Sequence, residues 1–392
     1  MEEIVILDGI RTPFGRFGGK LKDISAVDLG SRVIKELISR NNIEGEQIDE
    51  VIMGMVIPAG TGQIPARQAA LKAGLPSQTP CLTINKVCSS SLKAVSLASQ
   101  IIKAEDAEFI ISGGMENMSQ VPYLAPDARW GYKLWDGKLV DAVVKDGLWC
   151  PFGDVHMGTH TDNVAKEYDI NREEQDKWAF RSHMLWAEAQ DAGRLKDEIL
   201  PIEIPQRRGP SVIFDFDEHP RRDTTIEKLT KLKPVFGEDG TITAGNAPGI
   251  NDGAVAIIVS SSKKVKELGI KPIAKIIDYT QVATDPKYFA ITPALAMKKL
   301  LAKNDLDLKD IDLIEINEAF AAVSLVCIKI LGINPDIVNV NGGAVAIGHP
   351  IGASGGRILM TLIYELRRRG LKRGIAAICA GTAQSDAVLV EV

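Results

Sequence analysis

The sequence of 392 residues lacks the features that would direct a protein to a membrane, a nucleic acid or the secretory route. It contains no run of about 18 apolar residues, as a transmembrane helix would require. No long basic run accompanies its net charge of −5, which argues against a nucleic-acid partner. The acidic start Met1-Glu2-Glu3 leads into a short apolar run, whereas a secretory signal has a basic start and a longer apolar core. We therefore expect a cytoplasmic protein without membrane contacts.

Cysteine is also scarce, and no two cysteines form a C-x-x-C pair. The odd number of cysteines and the lack of a secretion signal argue against a disulfide framework. Their spacing argues against a zinc site, and we expect no bound metal. Each cysteine is therefore either a small core residue or a reactive group. The five are Cys81, Cys88, Cys150, Cys327 and Cys379.

Alternating short apolar runs and amphipathic stretches make up most of the chain. Runs such as Phe109–Ile111 and Ala254–Val259 are typical of strands that are buried on both faces. The segment Ser90–Ala104 has apolar residues at the spacing of one helix face. With 45% hydrophobic and 25% charged residues, the composition is that of a globular protein. The pattern predicts α/β layers around a mixed sheet.

An internal repeat indicates that the chain contains two similar halves. Ile34–Gly54 aligns without gaps on Met297–Asn317, and five of the 21 residue pairs are identical. Each copy predicts a helix, a turn and a strand, although two unrelated amphipathic units could also match by chance. All five tryptophans lie between the copies. We predict an N-terminal half at 1–118, completed by about 246–270, an inserted loop domain at 119–245, and a C-terminal half at 271–392.

Two of the cysteines follow predicted strands directly. Cys88 lies where a strand should turn into a helix, and the N–H groups of a helix N-terminus favour the thiolate and can bind an oxyanion. Cys379 precedes a turn and would supply a second thiol. A buried structural role is the alternative for each.

A glycine-rich segment and a strand end supply further candidates. His349-Pro350 lies within Gly342–Gly356, which has six glycines in fifteen residues and no Gly-Lys-Ser/Thr of a phosphate loop. His349 is a candidate base or oxyanion donor, with a structural histidine as the alternative. Asn317-Glu318 follows the strand of the second repeat, where sites of α/β sheets gather. The Asn317 amide could hold a water or a carbonyl, and Glu318 could orient His349 or another group, unless both simply cap a helix.

Together these segments resemble the thiolase family, and the resemblance covers the whole chain. Four family signatures occur in the family's order: Cys88-x-Ser90, Asn317-Glu318-Ala319-Phe320, Gly348-His349-Pro350 and Cys379-x-Gly381. Similar segments also occur at Ile10–Gly15, Gly113–Ser119 and Thr243–Ala247. The resemblance implies the thiolase fold, with two α/β halves of one topology, central mixed sheets and an inserted loop domain.

The resemblance also implies an activity, the reversible condensation of two acetyl-CoA to acetoacetyl-CoA and CoA. Cys88 would carry the acyl group as a thioester, His349 would take the thiol proton, and Cys379 would remove the α-proton of the second acetyl-CoA. Asn317, through a water, and His349 would form one oxyanion hole, while the N–H groups of Cys88 and Gly381 would form the other. Glu318 would support the site. CoA is then substrate and product, and no other cofactor is implied.

By resemblance, His156 and Met157 belong to a loop typical of short-chain thiolases and would border the acyl and pantetheine pocket. Phe289 would form part of the pocket wall, where the family often has Met. Arg221 could meet the CoA nucleotide or could be a solvated arginine. The signature residues Ala247, Ala319 and Phe320 are further substrate-binding candidates. A homo-oligomer, either a dimer or a tetramer, is also implied, and Ala125–Val140 resembles the family's tetramerisation loop.

Three residues depart from the family pattern: Ser89 replaces a usual Gly, Pro248 replaces a frequent Ser, and Thr382 stands where further glycines are usual. Thr382 would be strained if its φ were positive. Four other activities are alternatives for a chain with these residues. Cys379 argues against a condensing synthase, which usually has His there, and against a Cys/His hydrolase. The His156-Met157 loop argues against a longer-chain 3-ketoacyl-CoA thiolase. The complete set of catalytic residues argues against a non-catalytic acyl-CoA-binding subunit.

Overall fold

The computed structural model describes residues 2–206 and 209–392 of the chain. Strands and helices alternate in the first part, in the order β1 (Ile4–Arg11), β2 (Gly15–Arg16), α1 (Ala26–Arg40), β3 (Glu50–Gly54), α2 (Pro65–Lys72), β4 (Cys81–Ile84), α3 (Ser90–Lys103) and β5 (Phe109–Asn117). The predicted helix at 90–104 and strand at 109–111 are confirmed.

The middle of the chain contains short strand pairs and two longer helices. Its elements are β6 (Tyr123–Leu124), β7 (Val140–Asp141), β8 (Trp149–Cys150), β9 (Val155–His156), α4 (Met157–Glu167), α5 (Arg172–Asp191), β10 (Ile202–Ile204), β11 (Val212–Phe214) and α6 (Ile226–Thr230). Helix α5 begins with a capping box, in which the side chains of Asn171 and Glu174 each accept from the other's backbone N–H. It packs against helices of the C-terminal part and contributes two residues to the site described below.

The last part returns to long strands and helices. Its elements are β12 (Asn251–Ser261), α7 (Ser262–Glu267), β13 (Ala274–Ala283), α8 (Thr292–Lys303), β14 (Leu313–Ile316), α9 (Ala321–Leu331), α10 (Ala344–Ile347), α11 (Ser354–Arg369), β15 (Arg373–Ala380) and β16 (Gln384–Glu391). Within the described ranges, no helix is both long enough and apolar enough to cross a membrane.

A ten-stranded sheet with order β14-β15-β16-β13-β1-β12-β5-β3-β4 joins the two halves, and β2 pairs with β12. From its centre outward, each half repeats one pattern. In the first half β1, β12 and β5 are antiparallel and β3 is parallel to β5. In the second half β13, β16 and β15 are antiparallel and β14 is parallel to β15. The two halves share a single mixed sheet because β1 pairs with β13, and the predicted α/β fold with mixed sheets is confirmed.

The repeated residues make the same hydrogen bonds in both halves. Asn41, after α1, donates to the carboxylate of Asp8 at 2.6 Å, and Asn304, after α8, donates to that of Asp278 at 3.0 Å. Both aspartates lie at a β-bulge, in β1 and in β13. The identical asparagines therefore tie equivalent helix ends to equivalent strands.

Both faces of the sheet are covered by helices. In β12, Val255, Ile257 and Val259 pack toward the cluster that contains α3 and α11, and the intervening residues pack toward α1 and α2. In the second half, α8 and α9 cover the other face. Helix α11 contacts α3, so the halves also share a helical layer. Burial on both faces explains why the strands are continuous apolar runs.

Candidate active site

A cavity of about 210 Å³ opens between the two halves and the middle segment. It is smaller than the roughly 300–1,000 Å³ of sites that enclose drug-sized ligands, so it suits a small ligand or one end of a larger one. Ten of the predicted site residues line it: Cys88, His156, Met157, Ala247, Phe289, Ala319, Phe320, His349, Cys379 and Gly381. The tertiary structure thus gathers residues from distant parts of the chain.

A sharp turn between β4 and α3 presents Cys88 to this cavity. Asn85 accepts from the backbone N–H of Val87 at 2.9 Å, and Ser90 accepts from that of Lys86 at 2.8 Å. Val87 has a φ of +48°, which costs a non-glycine residue roughly 1–2 kcal/mol. The strained turn places Cys88 directly before the first turn of α3, as the sequence predicts.

Cys88 and His349 form the central contact of the site. The Cys88 sulfur lies 3.2 Å from Nε2 of His349. Burial raises the pKa of the Cys88 thiol to about 12, although N–H groups of Cys88 and Gly381 act in the opposite direction. Burial, and secondarily Arg357, lowers the pKa of His349 to about 3. The resting pair is therefore a neutral thiol and a neutral imidazole. The N–H groups at this turn favour the thiolate, as the sequence predicts, but desolvation outweighs them.

The predicted oxyanion donors are close to the Cys88 sulfur. Backbone N–H groups of both Cys88 and Gly381 interact with the Cys88 sulfur. Gly381 packs tightly against Val87, since a Cβ atom at position 381 would lie 3.3 Å from a Val87 methyl group. The turn after β15 therefore brings a second N–H group to the turn before α3. Two N–H groups that converge on one point can stabilise a developing oxyanion.

Cys379 lies at the end of β15 and lines the same cavity. Burial raises the pKa of its thiol well above the ordinary value, and the nearby Cys88 sulfur adds to this effect. Cys379 is therefore a protonated thiol at rest, and once ionised it would be a strong base.

Asn317 directly follows β14 and is fully buried. Among the described residues, neither polar atom of its side-chain amide has a hydrogen-bond partner. Its backbone carbonyl accepts from the N–H of Ala319, which lines the cavity. Because buried amides are nearly always satisfied, the Asn317 side chain is available for a water or a substrate oxygen.

Glu318 makes a different set of contacts from the one that sequence reasoning considered first. Its carboxylate accepts from Trp178 and Ser182 of α5, from Asn339, and from the backbone N–H of Val345, at 2.8–3.0 Å. His349 is not among these donors. Glu318 therefore ties α5 to the glycine-rich segment that carries His349. Trp178, Ser182 and Asn339 were not identified from the sequence, because nothing in their local pattern marks them.

His349 is held at two further points. Its backbone N–H donates to Asn251 at 2.9 Å, and its Nδ1 lies 2.6 Å from the hydroxyl oxygen of Ser354. Sequence reasoning missed both residues, although Ser354 lies within the glycine-rich segment that it singled out. These contacts fix the direction in which the imidazole points toward Cys88.

Arg221 lies in a separate, polar pocket that shares no lining residue with the Cys88 cavity. This pocket also contains His183, His219 and Lys228. Burial lowers the pKa of His183 and of His219 to about 4, and nearby Arg221 contributes. The structure therefore does not bring Arg221 to the cavity of Cys88, and its predicted contact with the CoA nucleotide stays a prediction.

Ser89, Pro248 and Thr382, which depart from the family pattern, lie in different surroundings. Ser89 is fully buried and donates to the carbonyl of Ile378 at 3.3 Å. Pro248 lines the Cys88 cavity. Thr382 has a φ of +62° and is followed by Ala383 at +56°, so two residues with side chains adopt the left-handed conformation beside the site. Each costs roughly 1–2 kcal/mol.

We expect Thr382→Gly to stabilise the protein by about 1 kcal/mol, since relief of this strain exceeds the entropic cost of glycine in the unfolded chain. Urea unfolding of the two proteins measures the difference. Thr230→Gly is the matched control, because Thr230 is exposed and has no positive φ, and it should destabilise. Equal destabilisation by both substitutions would show that Thr382 is not strained.

A duplicated α/β scaffold with a contacting cysteine and histidine beside a second cysteine, together with the following matches, defines the class of protein as an acyltransferase. The thiolase N-terminal domain matches residues 4–263, and the thiolase C-terminal domain matches residues 270–392. The chain belongs to the thiolase family.

Full-length relatives support this membership. The chain is 49% identical over 391 residues to the acetyl-CoA acetyltransferase of Cupriavidus necator, with 100% of both proteins covered. It is 49% identical over 388 residues to that of Pseudomonas aeruginosa, with 99% of both covered. The crystal structure of the Bacillus anthracis acetyl-CoA acetyltransferase superposes with a TM-score of 0.97 at 44% identity, covering 100% of this chain and 99% of that one.

Proposed function

We propose that this protein is an acetyl-CoA C-acetyltransferase, which reversibly condenses two acetyl-CoA to acetoacetyl-CoA and free CoA. The observation that carries the proposal is the 3.2 Å contact between the Cys88 sulfur and Nε2 of His349, at the wall of a small cavity that Cys379 also lines. The names of the relatives support the same substrates.

The first half-reaction transfers an acetyl group to Cys88. The sulfur attacks the thioester carbonyl while its proton passes to Nε2 of His349, and the N–H groups of Cys88 and Gly381 stabilise the oxyanion. The carbon–sulfur bond to CoA then breaks, and the departing thiolate takes the proton of Cys379. This leaves acetyl-Cys88, an imidazolium at His349, a thiolate at Cys379 and free CoA.

The second half-reaction forms the carbon–carbon bond. The Cys379 thiolate removes an α-proton from a second acetyl-CoA, and its raised pKa suits it to deprotonate such a weak carbon acid. The imidazolium of His349, together with a water held by Asn317, stabilises the enolate oxygen. The enolate carbon attacks acetyl-Cys88, and the released Cys88 sulfur recovers its proton from His349. All three groups return to their starting protonation states.

An aromatic wall supports the short-chain specificity. Phe236 stacks on His156 with ring centroids 4.3 Å apart, and Phe320 packs edge-on against Phe236 and Phe289 at 6.0 and 6.4 Å. All four line the cavity, so their packing limits its size. A longer acyl chain would have to displace stacked rings, which argues against a longer-chain 3-ketoacyl-CoA thiolase.

The test is the cleavage of acetoacetyl-CoA by free CoA, compared with cleavage of 3-oxo-octanoyl-CoA. We expect the short substrate to have the higher kcat/KM. A preference for the longer substrate would favour a longer-chain thiolase. A folded protein that cleaves neither substrate would favour a non-catalytic acyl-CoA-binding subunit, and release of free acid without condensation would indicate a hydrolase.

Phe289→Met tests the pocket wall itself. A flexible side chain in place of the rigid ring should admit a methyl branch, and kcat/KM for 2-methylacetoacetyl-CoA should rise about tenfold, since one methyl group in an apolar pocket is worth roughly 1–3 kcal/mol. Acetoacetyl-CoA, measured in parallel, should change little. Identical specificity in the two proteins would exclude this role for Phe289.

We also propose which ligands and partners this protein has. CoA serves as substrate and product, no metal takes part in these steps, and the pocket of Arg221 would receive the CoA nucleotide. Trp130, Leu134 and Trp135 are exposed on the segment Ala125–Val140, which is consistent with a homo-oligomer assembled through this loop.

A further inference from the structure

Ser354 lies on the far side of the His349 ring from the nucleophile. Its hydroxyl oxygen is 2.6 Å from Nδ1 of His349, while Nε2 faces the Cys88 sulfur. Both side chains are buried, with Ser354 only 1% exposed. Ser354 is the first residue of α11, so its position is set by the helix and not by a flexible loop.

The hydroxyl of Ser354 has one proton, and that proton has a partner. The oxygen lies 2.9 Å from the carbonyl of Pro350, to which it donates. Toward the imidazole it therefore acts as an acceptor, which requires a proton on Nδ1. A neutral imidazole carries a single ring proton, so Nε2 is then the bare nitrogen that can accept the thiol proton of Cys88.

We propose that Ser354 is a positioning residue that holds His349 in the tautomer with Nδ1 protonated, and thereby makes Nε2 the base for Cys88. The contact also strengthens during reaction, because an imidazolium is a better donor to the Ser354 oxygen than a neutral ring. The role of Ser354 in the acetyl-transfer cycle rests on the proposed function. The effect of Ser354 on the reactivity of the Cys88 thiol is independent of that function.

Three charged or titratable groups surround the pair besides Ser354. Arg357 of α11 acts on His349, Glu116 of β5 acts on Cys88, and Cys379 of β15 interacts with the Cys88 sulfur. The pKa of Glu116 is raised by burial to about 7, so its charge changes near neutral pH. The pH dependence of the reaction of Cys88 is therefore compared only between proteins in which Arg357, Glu116 and Cys379 are unchanged.

The test is alkylation of Cys88 by iodoacetamide, followed by mass spectrometry of the peptide that contains it. The sulfur displaces iodide and the thiol proton passes to His349, so no acyl-CoA is needed. Because the pKa of His349 is about 3, wild type should show a rate plateau between about pH 5 and 9. In Ser354→Ala the alkylation rate at the plateau pH values should fall roughly 10- to 100-fold. The remaining rate should rise in proportion to the hydroxide concentration. Ser354→Thr, which keeps the hydroxyl, should retain the plateau.

Ser99→Ala is the matched control, since Ser99 is buried and bonds the carbonyl four residues earlier, as Ser354 does, but lies in α3 away from any histidine. Its profile should equal that of wild type. An unchanged plateau in Ser354→Ala would overturn the proposal. If Ser354→Ala does not fold, the ¹⁵N chemical shifts of His349 in wild type, assigned with His349→Gln, decide the question: protonated Nδ1 supports the proposal, and protonated Nε2 overturns it. If wild type does not cleave acetoacetyl-CoA but shows the expected alkylation profile, the result counts only against the proposed function.

Discussion

Cys88→Ala should lower kcat for acetoacetyl-CoA cleavage by about 10⁴-fold or more, the scale of loss when a catalytic nucleophile is removed. The other thiol that lines the cavity, Cys379, lies at a different point of the wall and is the proposed base, so we expect no other group to replace Cys88. The fold should persist, because Cys88 is only partly buried and its side chain loses a single atom. Incubation with acetyl-CoA should leave no acetylated peptide in the variant.

Cys327→Ala is the control for this experiment. The Cys327 thiol is also buried, which raises its pKa to about 12, but it does not line the cavity. Its removal should cost some stability and leave kcat within a few-fold of wild type. Residual turnover of Cys88→Ala near the wild-type rate would show that the acyl group is carried elsewhere or that transfer is direct.

Cys379→Ala should separate the two half-reactions. In the proposed mechanism, formation of acetyl-Cys88 requires the Cys88 sulfur, His349 and two N–H groups, and this substitution removes none of them. Cys379 also gives a proton to the departing CoA in that step, but CoA can leave as a thiolate and take a proton from water, because the pKa of a free thiol is about 8.5. The variant should therefore still accumulate acetyl-Cys88 from acetyl-CoA. Condensation should fall by about 10²- to 10⁴-fold, the usual contribution of a positioned general base.

Quenched-flow measurement of free CoA shows the difference directly. Wild type should release CoA continuously, whereas Cys379→Ala should release about one equivalent per site and then stop. Loss of the initial release as well would mean that Cys379 is essential for acylation. Continued release of CoA with formation of acetoacetyl-CoA would exclude Cys379 as the base.

Most of the fold could be predicted because its signals are local or repeated. Continuous apolar runs predicted the doubly covered strands, and the repeat predicted two similar halves. The structure gives the repeat a physical reason: Asn41 and Asn304 tie helix ends to Asp8 and Asp278 at equivalent bulges. The joining of the halves into one sheet could not be predicted, because the pairing of β1 with β13 depends on contacts between segments about 270 residues apart.

The sequence by itself determined which residues are the candidates for the chemistry: Cys88, His349, Cys379 and Asn317 follow strand ends or lie in a glycine-rich segment, and together their motifs resemble one family. Only the tertiary structure decided how these residues behave. Cys88 and His349 are 261 positions apart, so their contact and the desolvation of both groups arise from the packing of the two halves. That desolvation outweighs the N–H groups that favour a thiolate and makes the resting pair neutral. The same packing directs Glu318 away from His349, places Ser354 against it and puts Arg221 in another pocket, because desolvation and distance are properties of the folded chain.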